Sequence, residues 1–198
     1  VLSQLYHHSQ LQDSFGINML ALNGGKPELL NLRSVIGAFV EFRELVIRRR
    51  TIFELGKARE RAHILVGLAI AVANIDPVIQ LIRSSPDPVQ ARAKLMAKAW
   101  PAASVASLIK LIDDPSHVVG KDGTYKLSDA QARAILELRL QRLTGLERDK
   151  IAEELDGLAK QIKDFLETLE SRTKLTAILR AELVAMKEQF ATPRRTTL

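Results

Sequence analysis

The chain has 198 residues, enough for one domain with a sizeable core, and its 46% hydrophobic and 26% charged residues exclude a disordered polyelectrolyte. Aromatics are only 5% and cysteine is absent, which favours helices and excludes disulfides, Cys-ligated metals and thiol nucleophiles. The net charge of +6 is uneven: residues 31–62 hold eight Arg/Lys against four Glu, whereas 146–190 hold eight against ten acids. The basic excess is compatible with a nucleic-acid partner but weaker than a dedicated basic domain.

In chain order, Ser14 to Leu22 is extended in character, and Asn23-Gly24-Gly25-Lys26-Pro27 is turn chemistry. Glu28 to Leu30 supplies a short return strand, so a β-hairpin is expected here. Asn31 is an N-cap for one long helix from Arg33 to Asn74, on the order of 60 Å at 1.5 Å per residue. Its apolar positions recur at spacings of three and four, and so long an element needs a partner along its length.

Asp76-Pro77 opens a second helix, with Asp76 as N-cap. Short helices are expected over Pro77–Arg83, Pro88–Lys98 and Ser104–Ile112, followed by a loop from Asp113 to Gly123. Ser128-Asp-Ala-Gln131 is a capping box that starts a helix from Asp129 to about Leu143. Thr144-Gly-Leu-Glu147 is a second one, opening a long helix to about Phe190. Its seam runs Ile151, Leu155, Leu158, Ile162, Phe165, Leu169 and, after a polar gap, Leu175, Leu179 and Leu183.

These elements predict a mainly α fold: a long antiparallel coiled-coil hairpin with a small helical globular tip, plus a short β-hairpin near the N-terminus. If residue 75 faces 147, facing residue numbers sum to about 222. Ala58 and Ala62 then oppose Phe165, Ile162 and Leu158, small against large. The outgoing seam loses its rhythm at Arg48-Arg49-Arg50-Thr51 and the returning seam at Ser171-Arg172-Thr173-Lys174. Arg49, Gly56 and Thr173 are therefore hinge candidates, the alternative being arginines that snorkel to solvent.

No catalytic constellation is present. His7, His8, His63 and His117 form no HxxxH pair, and phosphate-loop, dinucleotide and GxSxG motifs are missing. No catalytic, cofactor-binding or metal residue is assigned. Arg43, Arg50, Lys57 and Arg61 make one stripe that either tracks a DNA backbone or forms a solvated flank. Ala134, Ile135, Leu138, Arg139 and Arg142 lie on a helix with more apolar surface than one packed face needs. They are candidates for a dimer interface, the alternative being burial in the tip's own core.

Gln10–Met19, Arg49–Leu55, Lys57–Leu65, Ala73–Asp76, Ala134–Leu140 and Leu143–Glu147 together resemble, in order and across almost the whole chain, the A-subunit family of DNA gyrase, a bacterial type IIA topoisomerase. Arg61-Ala-His-Ile-Leu65 and Leu143-Thr-Gly-Leu-Glu147 favour gyrase over topoisomerase IV, whose decatenating A subunit is the alternative. A non-enzymatic coiled-coil scaffold is a more distant one. The resemblance implies residues 1–31 as the end of a tower domain, 32–75 as an outgoing coiled-coil helix and 76–145 as an exit-gate dimerisation tip. It further implies 146–190 as the returning helix and 191–198 as a linker toward a DNA-wrapping domain.

By the same resemblance the parent enzyme is a cytoplasmic, ATP-dependent isomerase that introduces negative supercoils. The tip would hold a homodimer closed, then open to release a transported duplex. The implied partners are DNA and the B subunit of gyrase, with ATP and Mg2+ used through other domains. The chain begins at Val1 and has methionines only at 19, 96 and 186, so a piece of a longer protein is expected, without the tyrosine-bearing catalytic domain.

Overall fold

The structure is a computed structural model that describes residues 1–112, 119–120, 122–138 and 145–195. The chain divides into two compact units, residues 1–46 and 47–198.

The first unit opens with α1 (Leu2–His8), none of whose residues is buried. Strands β1 (Leu20–Asn23) and β2 (Lys26–Leu29) follow as an antiparallel hairpin, with Leu20 opposite Leu29 and Asn23 opposite Lys26. The turn is Gly24-Gly25, at φ of 57° and 83°. Positive φ at both central residues matches the strand twist, and only glycine adopts it twice without strain. Leu30 N–H donates to the Met19 carbonyl at 2.8 Å, extending the ladder by one rung. The carboxamide oxygen of Asn31 accepts from Ser34 N–H at 2.8 Å and caps α2 (Leu32–Ala73), whose first turns belong to this unit.

The second unit contains the rest of α2 and everything after it. Helix α2 ends one residue before Asn74, and α3 (Ile75–Arg83) leaves at a bend of 91°. The N-cap of α3 is Asn74, not Asp76 as expected, and Asp76 sits in the first turn. The Asn74 side chain donates back to the Ile70 carbonyl at 2.9 Å, so one residue serves both helix ends at the corner. Helix α4 (Pro88–Ala97) begins at Asp87, whose carboxylate accepts from Gln90 N–H at 2.6 Å. A single 3-10 turn (Ala103–Val105) leads into α5 (Ala106–Ile112).

Two strands were not expected. β3 (Ala99–Pro101) pairs antiparallel with β4 (Thr124–Lys126), placing Trp100 opposite Tyr125. Both rings are buried, and the indole N–H donates to the Leu95 carbonyl at 2.9 Å. Helix α6 (Asp129–Glu137) starts with the full reciprocal capping box between Ser128 and Gln131. It stops earlier than the expected Leu143: Leu138 is extended, at ψ of 124°. Residues 139–144 lie outside the described residues.

The returning element is two helices, α7 (Gly145–Glu170) and α8 (Arg172–Phe190), rather than one. Ser171 between them is extended, and its hydroxyl caps α8 by accepting from Lys174 N–H at 3.3 Å. Buried positions continue across the break: Thr168 is buried before it and Leu175 and Leu179 beyond it, at spacings of seven and four.

One apolar core joins the helix pair to the tip. Leu55, Ala58, Ala62, Leu65, Val66 and Ile70 of α2 cluster with Leu155 and Ile162 of α7 and with Val78, Leu95, Trp100, Ile109, Tyr125 and Ile135 of the tip. The α2 seam does not lose its rhythm at the arginines. Ile47, Thr51 and Leu55 are buried at spacings of four while Arg48, Arg49 and Arg50 stay exposed. Thr51 tolerates the seam because its hydroxyl donates to the Ile47 carbonyl at 2.9 Å. Among the described residues no single helix is long and apolar enough to cross a membrane.

Candidate functional site

A buried amide adds a polar tie between the tip and the stalk to the apolar core they share. Gln131 is fully buried, and its side-chain N–H groups donate to the His63 carbonyl of α2 at 2.7 Å and to the Tyr125 hydroxyl at 3.1 Å. Its side-chain oxygen accepts from Ser128 N–H at 2.9 Å, and Gln131 N–H donates to the Ser128 hydroxyl at 3.2 Å. His63 Nε2 lies 2.7 Å from the same hydroxyl. The capping box thus starts α6 and also ties its first turn to α2. The helices approach so closely that a Cβ on Gly67 would stand 2.6 Å from Gln131 Cγ. The motif is legible in the sequence, but its second use requires the tertiary fold.

This anchoring decides which interface candidates face outward. Ile135 is fully buried in the tip core, which corrects it from an interface candidate to a packing residue. Ala134 and Leu138 are half-buried. Arg139 and Arg142 lie outside the described residues. Leu136, also half-buried, borders a shallow cleft with Pro88, Val89, Arg92, Arg133 and Glu137. Arg92 pairs with Asp129 at 3.2 Å and bridges α4 to the start of α6, while Arg133 pairs with the same carboxylate at 2.8 Å from one turn along α6.

Half of the basic stripe is engaged in cross-linking the stalk. Arg61 donates twice to Glu154 of α7, at 2.7 and 3.1 Å. The hydrogen bond to Glu154 raises the guanidinium pKa above its ordinary value, against a smaller opposing effect of burial. Arg50 pairs with Glu182 of α8. Lys57 lies over the Phe53 ring at 4.5 Å, and Arg43 belongs to the first unit. Two of the four cations therefore spend their charge on carboxylates of the returning helices. Arg61→Ala is expected to lower stability by no more than about 1 kcal/mol, because the pair is exposed, and to change duplex-DNA affinity by less than about twofold. Thermal unfolding and a fluorescence-anisotropy titration with a DNA duplex check the two parts.

Of the hinge candidates, Arg49 and Gly56 lie in an unbroken stretch of α2, and no atom comes within 4 Å of a Cβ built on Gly56. Thr173 is exposed in the first turn of α8, two residues past the Ser171 break. At the other end of the stalk, an apolar cleft of about 510 Å³ runs between Ala69, Val72 and Ala73 of α2, Val105 and Leu108, and Ile151 and Leu155 of α7. Ala69 and Leu155, and Val72 and Ile151, share its walls, at number sums close to the expected 222. Among the described residues no group of three or more His, Asp or Glu is placed to hold a metal ion.

The second unit defines a helical-hairpin module, in which α2 is paired with α7 through Arg61–Glu154 and with α8 through Arg50–Glu182, and a helical tip is inserted between them. The family model for the A subunit of DNA gyrase/topoisomerase IV matches residues 1–184. The chain belongs to that family. It is 54% identical over its whole length to the DNA gyrase A subunit of Granulibacter bethesdensis, covering 21% of that protein. It is 50% identical to the Rickettsia bellii protein of the same name, covering 22%. Against the Salmonella typhimurium protein of that name the identity is 47% over 207 aligned positions, covering 24%. The chain thus spans between a fifth and a quarter of the length of these relatives.

Proposed function

We propose that the chain is the coiled-coil and exit-gate portion of a DNA gyrase A subunit. Two tips hold a homodimer closed while DNA is cut elsewhere in the enzyme, then part to release the transported duplex. Residues 1–31 close the tower domain, 32–75 and 146–190 form the stalk, 76–145 form the gate and 191–198 lead toward a DNA-wrapping domain. The parent enzyme is an ATP-dependent type II topoisomerase of the isomerase class. It works as two A and two B subunits on chromosomal DNA in the bacterial cytoplasm.

The observation that carries this reading is the end-to-end match to gyrase A subunits. The architecture supports it. A seam packed along paired helices resists bending, and a tip with its own core can separate from a second tip without unfolding. Half-buried Leu136 and Leu138 leave apolar surface for a second copy.

The test is supercoiling of relaxed plasmid by the full-length parent protein with the gyrase B subunit, in the presence of ATP. Efficient decatenation without supercoiling would favour the topoisomerase IV reading, and loss of both would sink the topoisomerase reading. For the isolated chain at about 30 µM, sedimentation is expected to give a dimer, and Leu138→Asp a folded monomer with unchanged helical circular dichroism. A wild-type monomer at that concentration counts against dimerisation through the tip alone.

A further inference from the structure

We propose that the corner between α7 and α8 is held by an ionic latch centred on Lys174, and that salt sets its compliance. Lys174 Nζ donates to Asp164 Oδ1 at 2.6 Å and to Glu167 Oε2 at 2.9 Å, and lies 3.4 Å from the Asp164 carbonyl. Both acids lie on α7, one and two turns before the Ser171 break, and Lys174 lies in the first turn of α8. The ammonium therefore spans the one place where the returning element lacks continuous helical hydrogen bonding.

The backbone at the corner is otherwise thinly tied. Ser171 N–H still donates to the Glu167 carbonyl at 2.9 Å, and Leu175 N–H donates to the Ser171 carbonyl at 3.1 Å. Between them Lys174 N–H turns to the Ser171 hydroxyl. Thr168, buried at the seam, donates to the same Asp164 carbonyl that faces Lys174 Nζ. Three groups thus converge on one turn of α7. Hydrogen bonds to Asp164 and then Glu167 raise the lysine pKa, as a cation held by two carboxylates requires.

The latch is solvent-facing, so counterions compete with it. Lys174 is 30% exposed, and its two acids are 62% and 68% exposed. Raising ionic strength from 0.1 to 1 M shortens the screening length from about 10 Å to about 3 Å and weakens such a cluster. The α2 stretch around Gly56 is continuous helix, so the corner in the returning element is where the second unit bends first.

The test compares the 198-residue chain with Lys174→Met and Lys174→Arg. Because the chain has no cysteine, Gln161→Cys and Glu188→Cys place one spin label on each helix. Lys174→Met is expected to speed amide exchange at residues 172–176 by about three- to fivefold at low salt, with 155–165 and 179–185 unchanged. The spin-label distance distribution should broaden with it. Lys174→Arg should retain the wild-type pattern, and 1 M salt should bring wild type and Lys174→Met together. Unchanged exchange at 172–176, or loss of protection spread evenly over 155–185, overturns the latch.

Discussion

Trp100→Ala is expected to be among the most damaging single substitutions in the second unit, lowering its stability by about 3–5 kcal/mol. Trp100 is the only tryptophan and is 1% exposed. Truncation removes a large buried ring from the core and leaves the Leu95 carbonyl without its indole donor. It also strips β3 of the partner of Tyr125, in a two-stranded ladder of three residues a side that cannot stand by itself. The cation–π contact from Lys98 Nζ, 4.5 Å from the ring, is lost as well but contributes least, being near the surface. Helical circular dichroism in a urea titration checks the loss. Trp100→Phe should recover most of it and leave a deficit of about 1–2 kcal/mol for the missing indole hydrogen bond. A Trp100→Ala midpoint within error of wild type would mean that the tip core does not depend on this strand pair.

The same residues mark where sequence reasoning runs out. Helical periods and caps are local, so the long helix, the Ser128–Gln131 box and the glycine turn are legible from neighbouring residues. β3 and β4 are not. Each is three residues long and 22 residues separate them, so no alternating pattern has room to develop. The corner at Ser171 is half legible. The polar gap at 171–174 marks the level, but by itself it reads as a flaw in one helix. Thr168, buried seven residues before Leu175, keeps the spacing across this level, so periodicity alone does not reveal the break.

Ile135 shows a different limit. Its helix carries apolar residues on more than one face, and periodicity cannot say which face meets the chain's own core. The tie from Gln131 to α2, together with the packing of Ala132 and Ile135 in the shared core, orients α6 and leaves Leu138 half-exposed. The ion pairs of the arginine stripe are hidden from the sequence for a related reason. The acids that engage Arg50 and Arg61 lie 132 and 93 positions away.

Gly67→Ala and Gly56→Ala, two identical changes in one helix, are expected to move stability in opposite directions. By helix propensity alone each should stabilise by about 1 kcal/mol, since alanine loses less backbone entropy than glycine. At Gly56 nothing opposes that, because a Cβ there meets no atom within 4 Å. At Gly67 the new Cβ would stand 2.6 Å from Cγ, 2.7 Å from Cβ and 3.0 Å from Cδ of Gln131. These are the base of a side chain, not its free end, and its amide is already held by the His63 carbonyl and the Tyr125 hydroxyl. Relief requires either moving α6 away from α2 or breaking those bonds in a buried site. The expected net loss is about 1–3 kcal/mol. Thermal unfolding should therefore rank Gly56→Ala above wild type and Gly67→Ala below it. If Gly67→Ala instead melts with Gly56→Ala, the stalk and the tip's α6 are not in the close contact described, and the capping glutamine cannot be what holds the tip to the helix pair. Adding Gln131→Gly to Gly67→Ala distinguishes the two routes of relief, because only glycine at 131 removes the Cβ at 2.7 Å along with Cγ and Cδ. If the clash is the whole cost, the double variant should be no less stable than Gln131→Gly alone.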